Sequence, residues 1–300
     1  MVENGAGAPR RWWRRKAVLI PAVLLSVAIA AAAIRLIVSN IEPSYGAQSV
    51  LPLTGLRHPA GVAVDGAGTV YVADRDNGRV VKLAAGSSAQ TVLPFTGLKH
   101  PAGVAVDGAG TVYVTDTDNA SGRVVKLAAG EGAQTVLPFT DLQDPTGVAV
   151  DGAGNLYVVD RLRDEALTLA AGSGTQTRLR FHGLSNPAGV AVDGAGAVYV
   201  ADYYHGRVLK LAAGSSTQTA LPFTGLEYPT GVAVDGSGTV YVVESLAGRV
   251  LTLAPGSSTQ TGLRVRGLDD PGGVAVDGSG AVYVADARND RVVKLPRGSR

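Results

Sequence analysis

The residues of this 300-residue chain best suited to chemistry stand in pairs before a recurring proline. They are Arg57-His58, Lys99-His100, Gln143-Asp144, Ser185-Asn186, Glu227-Tyr228 and Asp269-Asp270. Imidazoles and carboxylates that converged on one axis would suit Zn²⁺ or Ca²⁺, which makes His58, His100, Asp144 and Asp270 a candidate metal set. The plainer reading is that a polar residue before proline lies in a loop and binds no cofactor. A second unlike set is Arg75–Gly78, Thr117–Gly122, Arg161–Asp164, Tyr203–Gly206, Ser245–Gly248 and Ala287–Asp290. From these sets Arg57, His58, Lys99, His100, Asp144, Asn186, Tyr228, Asp270, Arg161, Tyr203 and Tyr204 are the expected binding residues, and no catalytic residue is expected.

Other acids recur without variation. Asp65, Asp107, Asp151, Asp193, Asp235 and Asp277 are each followed by glycine. A carboxylate repeated at one position is expected to do a repeated, structural job, capping its own turn. The pairs Asp74/Arg79, Asp116/Arg123, Asp202/Arg207, Glu244/Arg249 and Asp286/Arg291 read as braces across a loop. The third unit departs, with Asp160 opposite Glu165 and Thr168 where other copies have Lys82 or Lys126, so that blade is expected to be locally looser, or rewired through Arg161 and Arg163. His182 and His205 have no counterparts and read as surface residues, and Asn119-Ala120-Ser121 fits a glycosylation acceptor. No His-Glu-x-x-His, nucleophile elbow or glycine-rich phosphate loop occurs. With no cysteine, disulfides and thiolate metal sites are excluded.

What positions these residues is a repeat. Pro59-Ala60-Gly61-Val62-Ala63-Val64-Asp65-Gly66 recurs from Pro101, Pro145, Pro187, Pro229 and Pro271, at spacings of 42, 44, 42, 42 and 42 residues. Val104-Ala105-Val106, apolar on both faces, reads as an inner strand, and Asp107-Gly108-Ala109-Gly110 as a tight turn. Thr111–Thr115 and Arg123–Leu127 are the next two strands, and Gln90–Leu98 is an outer one, where Pro94 can only tolerate an edge. Four short antiparallel strands repeated radially make an all-β, six-bladed β-propeller over residues 48–300. Residues 48–56 match the outer strand yet precede the first inner strand, so they are expected to complete the last blade. In a propeller the two unlike loop sets emerge on one face, around the channel mouth. A constant scaffold carrying variable loops is how binding surfaces are made.

The pattern Pro-x-Gly-Val-Ala-Val-Asp, then Val-Tyr-Val-Ala-Asp, then Asn77-Gly78-Arg79-Val80, resembles the NHL repeat over residues 48–295. The wording Gln-Thr-Val-Leu-Pro-Phe-Thr-Gly-Leu with Val-Val-Lys-Leu-Ala-Ala-Gly is similar to the extracellular sensor domain of mycobacterial receptor serine/threonine kinases of the PknD type. That resemblance implies an outer propeller joined to one transmembrane helix, here without the kinase. Related propellers include lyases and lactonases that hold a divalent metal in the channel, which is the alternative function.

The first 41 residues carry six bases and one acid, whereas residues 42–300 carry 21 bases and 24 acids. The mildly acidic repeat region argues against nucleic acid as a partner. Arg10–Lys16 precede Ala17–Ile34, an 18-residue run without a charge. About 20 apolar residues span a bilayer, so residues 1–16 are expected to be a cytoplasmic tail, 17–38 a transmembrane signal anchor and 39–47 a tether. Cleavage after the alanines and secretion is the alternative. The expected function is an extracytoplasmic sensor or scaffold module for a protein, peptide or envelope glycan.

Overall fold

The computed structural model describes residues 44–119 and 121–298, and these form six four-stranded antiparallel sheets, the blades of a β-propeller. The expected anchor 17–38, with its tail 1–16 and tether residues 39–43, lies outside the described residues, as does Ala120 of the glycosylation acceptor. Among the described residues no helix is long and apolar enough to cross a membrane.

Blade 1 shows how sequence makes the unit. Its strands are Pro59–Val64, Val70–Asp74, Arg79–Leu83 and Gln90–Val92, from axis to rim. Proline cannot donate to the ladder, and the register slips between Pro59 and Gly61, so the strand begins with a bulge, as it does in every blade. The second strand is buried along its whole length, and the clusters of Val, Leu, Ala and Tyr lie between neighbouring blades. Val72, Val81 and Val114 are wholly buried, each stabilising the fold by roughly 1.5–3 kcal/mol. The outer strand is shorter than expected. Leu93 still bonds to Val80 O, but Pro94 forces a tight turn in which Phe95 N bonds to Leu93 O, and the ladder ends there.

The ring closes as the repeat implies. Ser49 and Val50 pair with Lys294 and Val293 and supply the outer strand of blade 6. A clamp absent from the sequence reading repeats at each blade junction. The Gln90 side chain donates to Thr54 O at 2.8 Å and accepts from Thr54 N at 2.9 Å. Gln134, Gln176, Gln218 and Gln260 do the same to Thr96, Thr140, His182 and Thr224. Gln48 repeats it on Arg266 across the closing junction.

Each turn aspartate holds its own turn, as expected: Asp65 Oδ1 accepts from Ala67 N at 3.0 Å and Thr69 N at 2.9 Å. Its other oxygen accepts from the Tyr71 hydroxyl at 3.1 Å, a contact repeated by Tyr113, Tyr157, Tyr199, Tyr241 and Tyr283 on their aspartates.

Two predictions arise here. A Cβ on Gly61 would stand 2.4 Å from Ala102 O, whereas one on Gly66 would meet nothing within 4 Å. Urea unfolding should therefore show Gly61→Ala losing about 1–3 kcal/mol and Gly66→Ala changing by no more than about 0.5 kcal/mol. The second concerns pH. Burial, reinforced by the adjacent aspartate, pushes Tyr71, Tyr113 and Tyr157 up from 10.0 to about 12. A raised folded pKa means that this stabilisation is intact below about pH 10 and is lost as pH rises through about 12. The urea midpoint should fall across that window, and a flat profile there would contradict the assignment.

Candidate functional site

The two variable loop sets meet on one face, the one opposite the aspartate turns. Backbone bonds lock them together within each of five blades: Asp76 N to Arg57 O, Arg161 N to Asp144 O, Tyr204 N to Ser185 O, Ser245 N to Tyr228 O and Arg288 N to Asp269 O. The acid at the end of the second strand organises the junction. Asp74, wholly buried, accepts from Arg57 N at 2.7 Å, from Asn77 Nδ2 at 2.8 Å and from Arg79 Nε at 2.6 Å. Arg79 also donates to Gly55 O at 2.8 Å, and the same fork recurs at Arg123, Arg207, Arg249 and Arg291. The expected braces are thus present in five blades, and they also carry the backbone of the binding loops.

Blade 3 differs from expectation. Asp160 is wholly buried and accepts from Gln143 N at 2.7 Å and Asp144 N at 3.0 Å. Among the described residues no cation pairs with it. Arg161 turns instead to Asp144, donating from Nε at 2.6 Å and making a second contact through Nη2. Glu165 is answered by Arg178 at 3.3 Å, and Arg163 takes no part.

The expected binding residues fall into separate groups on this rim. Tyr203 lies 4.9 Å from Tyr228 and 5.3 Å from Tyr204 between ring centroids, an aromatic cluster over blades 4 and 5. Leu162, 54% exposed, and Leu246, 66% exposed, lie in the variable loops of blades 3 and 5 and were not singled out in the sequence. Arg57, Lys99 and His100 are exposed over blades 1 and 2. Asp269 and Asp270 over blade 6 are answered by Arg288 at 3.7 and 3.5 Å. His58, Asn186, Tyr228 and Asp270 adopt left-handed backbone, with φ between 50° and 57°. The His58 and Asn186 amides donate to Asp290 and Asp164 of the preceding blade.

The candidate metal set is not gathered. Among the described residues no three His, Asp or Glu side chains cluster so as to hold a metal ion. His100 Nδ1 lies 3.1 Å from Thr117 O, and Asp144 is engaged by Arg161 and by Thr117 Oγ1 at 3.1 Å. The channel, about 190 Å³, is lined on its inner strands by Gly, Ala, Val and Thr, with Arg75 reaching in from the rim. Arg75 was visible in the sequence only as one member of a variable loop. His182 is exposed and uses its backbone in the glutamine clamp. His205 is exposed as expected, and its Nδ1 also lies 3.0 Å from Asp202 Oδ2, in the place that Asn77 takes on Asp74, so it joins the brace.

Residues 56–83, 98–127, 184–211 and 268–295 match the family model of the NHL repeat, so the chain carries NHL repeats. The matched units are 1, 2, 4 and 6, those with an Asp/Arg brace and a lysine three residues after the arginine; units 3 and 5 have Glu165 and Thr168, or Glu244 and Thr252. The serine/threonine-protein kinase PknD of Mycobacterium tuberculosis, in strains CDC 1551 / Oshkosh and H37Rv, is 53% identical over 92 residues. That match covers 28% of this chain and 13% of the kinase. Among solved structures, a chain of a nidogen/laminin complex superposes with a TM-score of 0.66 at 22% identity, covering 72% of this chain and 84% of that one. A streptogramin B lyase gives 0.64 at 15% identity, covering 85% and 98%. A gluconolactonase of Xanthomonas campestris gives 0.69 at 14% identity, covering 86% and 96%. At such identities the structural likeness establishes the fold alone.

Asp160 and Glu165 are paired in register as Asp74 and Arg79 are. Glu165→Arg should therefore rebuild the missing brace and raise unfolding stability by about 1 kcal/mol, since hydrogen bonds to a buried charge stabilise but the arginine would be partly exposed. The urea midpoint would check this. A loss of stability would mean that Asp160 needs no counter-charge.

Proposed function

We propose that this NHL-repeat propeller is an extracytoplasmic binding module, held at a membrane by residues 17–38, that recognises a protein or peptide through its variable rim. One observation carries the reading. Structurally equivalent loop positions hold unlike side chains on one face, with aromatic residues over blades 4 and 5 and basic residues over blades 1 and 2. Exposed tyrosines and arginines beside loops fixed by backbone bonds suit recognition, because they offer contact area at small ordering cost.

The geometry of the chain ends supports this. Tyr45 pairs with Arg297 beyond the last strand, and its hydroxyl lies 3.3 Å from that of Tyr241, which donates to turn residue Asp235. The chain thus enters on the aspartate-turn face and leaves the rim unobstructed by residues 44–48. The partial likeness to the PknD kinase favours a sensor or scaffold role over catalysis. A lyase or lactonase acting at the channel mouth is the second reading, its support being the fold shared with such enzymes; the dispersed His58, His100, Asp144 and Asp270 do not fit a Zn²⁺ or Ca²⁺ cofactor there. An envelope glycan is the alternative ligand.

The test is capture from an envelope extract by the purified protein. Tyr203→Ala and Tyr228→Ala should each weaken retention of a partner by a hot-spot amount, about 2 kcal/mol. Arg57→Glu with Lys99→Glu should weaken it further at low salt than at high salt. A partner retained equally by all of these variants would overturn the rim as the functional face.

A further inference from the structure

Among the described residues, Arg75 is a rim cation without a partner. Arg75 and Arg161 occupy equivalent positions, each directly after the acid that ends the second strand. Arg161 is answered by Asp144, the residue before its blade's proline. The equivalent residue for Arg75 is His58, which carries no negative charge, and among the described residues nothing pairs with the Arg75 guanidinium. The backbone beneath it is fixed, since Asp76 N bonds to Arg57 O and Asn77 bonds to both Gly55 O and Asp74. Arg75 lines a cavity of about 280 Å³ together with His100, Thr117, Asp144 and Arg161.

The charges of that cavity define its ligand. Asp144 offsets Arg161, so one positive charge, that of Arg75, is left over. A monoanion balances it, whereas a dianion would leave excess negative charge beside the Asp144 carboxylate. Asp144 itself shows how the rim holds a carboxylate, between an arginine fork and the Thr117 hydroxyl. The planar guanidinium fork matches carboxylate geometry. The volume lies below the usual range for a whole drug-sized ligand and suits one group of a larger partner. We infer that this cavity is a carboxylate-binding subsite in which Arg75 takes up an acidic side chain or the terminal carboxylate of a peptide lying across blades 1 to 3. The inference rests on the rim being the binding face.

Acetate at constant ionic strength is the first probe. The Arg75 side-chain N–H resonance should shift saturably at millimolar acetate, and Arg75→Gln should weaken acetate binding at least tenfold, while Arg264→Gln, just beyond the outer strand of blade 5, leaves it unchanged. A hexapeptide of alanine with a free carboxyl terminus, its amidated twin, and an amidated form carrying one glutamate then separate the sources. The amidated twin should fail, and whichever of the others binds identifies terminus or side chain. A non-saturable shift, equal acetate affinity in folded Arg75→Gln, or equal binding of all three peptides would overturn the subsite. The two readings fail separately. Acetate binding that persists while Tyr203→Ala and Tyr228→Ala capture partners normally removes the rim reading. Partner capture lost in those variants while Arg75→Gln binds acetate normally removes the subsite.

Discussion

The structure depends on how closely six inner strands can approach one axis. Gly61, Gly103, Gly147, Gly189, Gly231 and Gly273 each stand where a Cβ would lie between 2.4 and 3.1 Å from a backbone oxygen of the next blade. Only a strand without side chains at that point lets neighbouring blades press their valine and tyrosine faces together. The same constraint leaves the inner strands lining the channel with glycine, alanine, valine and threonine, and the charged residue in that lining, Arg75, comes from the rim. The unlike polar and aromatic side chains stand on the loops instead. The packing solution that makes the ring thus also decides where side chains are free to vary.

A second economy lies in the acid that ends the second strand. Its oxygens accept backbone N–H groups of the loop before the proline and also the arginine of the third strand. Burying a carboxylate is costly unless it is bonded and paired, so this acid is tied to its surroundings on several sides. The loops that present variable residues are therefore rigid at the backbone, and their variation costs the fold little. Blade 3 shows the tolerance of the scheme. With Glu165 in place of arginine, Asp160 still accepts two backbone donors, and the loop keeps its position.

The repeat made the blades, the turn aspartates, the braces and the ring closure legible, because each rests on local pattern copied six times. What was not legible depends on contacts between different copies. Gln90 and its equivalents look like ordinary polar residues until the neighbouring blade supplies a backbone to clamp. The outer strand read as nine residues because its apolar wording continues past Pro94, but the missing donor ends the ladder. Rewiring of blade 3 through Arg161 was legible as an alternative, but its partner was not: it is Asp144, seventeen residues away, and not the adjacent Asp160. The distribution of unpaired groups on the rim could not be read at all, since a free arginine and a paired one have the same letter.

The asymmetry of the rim traces to the one unit of 44 residues. Its two extra residues lengthen the hairpin of blade 2 into Val112–Asp118 and Ser121–Leu127, so that His100 pairs with Thr117 instead of turning left-handed like His58. Both the Lys99 and His100 amides then bond to Asp116, and the Gln143 and Asp144 amides likewise bond to Asp160. The longer strand also brings the Thr117 hydroxyl to Asp144, where it joins Arg161. Blades 2 and 3 are thereby tied to each other, with Arg161 answered by Asp144, while Arg75 of blade 1 lines the same cavity unpaired. A small insertion in one copy has converted a symmetric scaffold into a surface with a distinguishable side, which a ring of identical units could not offer to an asymmetric partner.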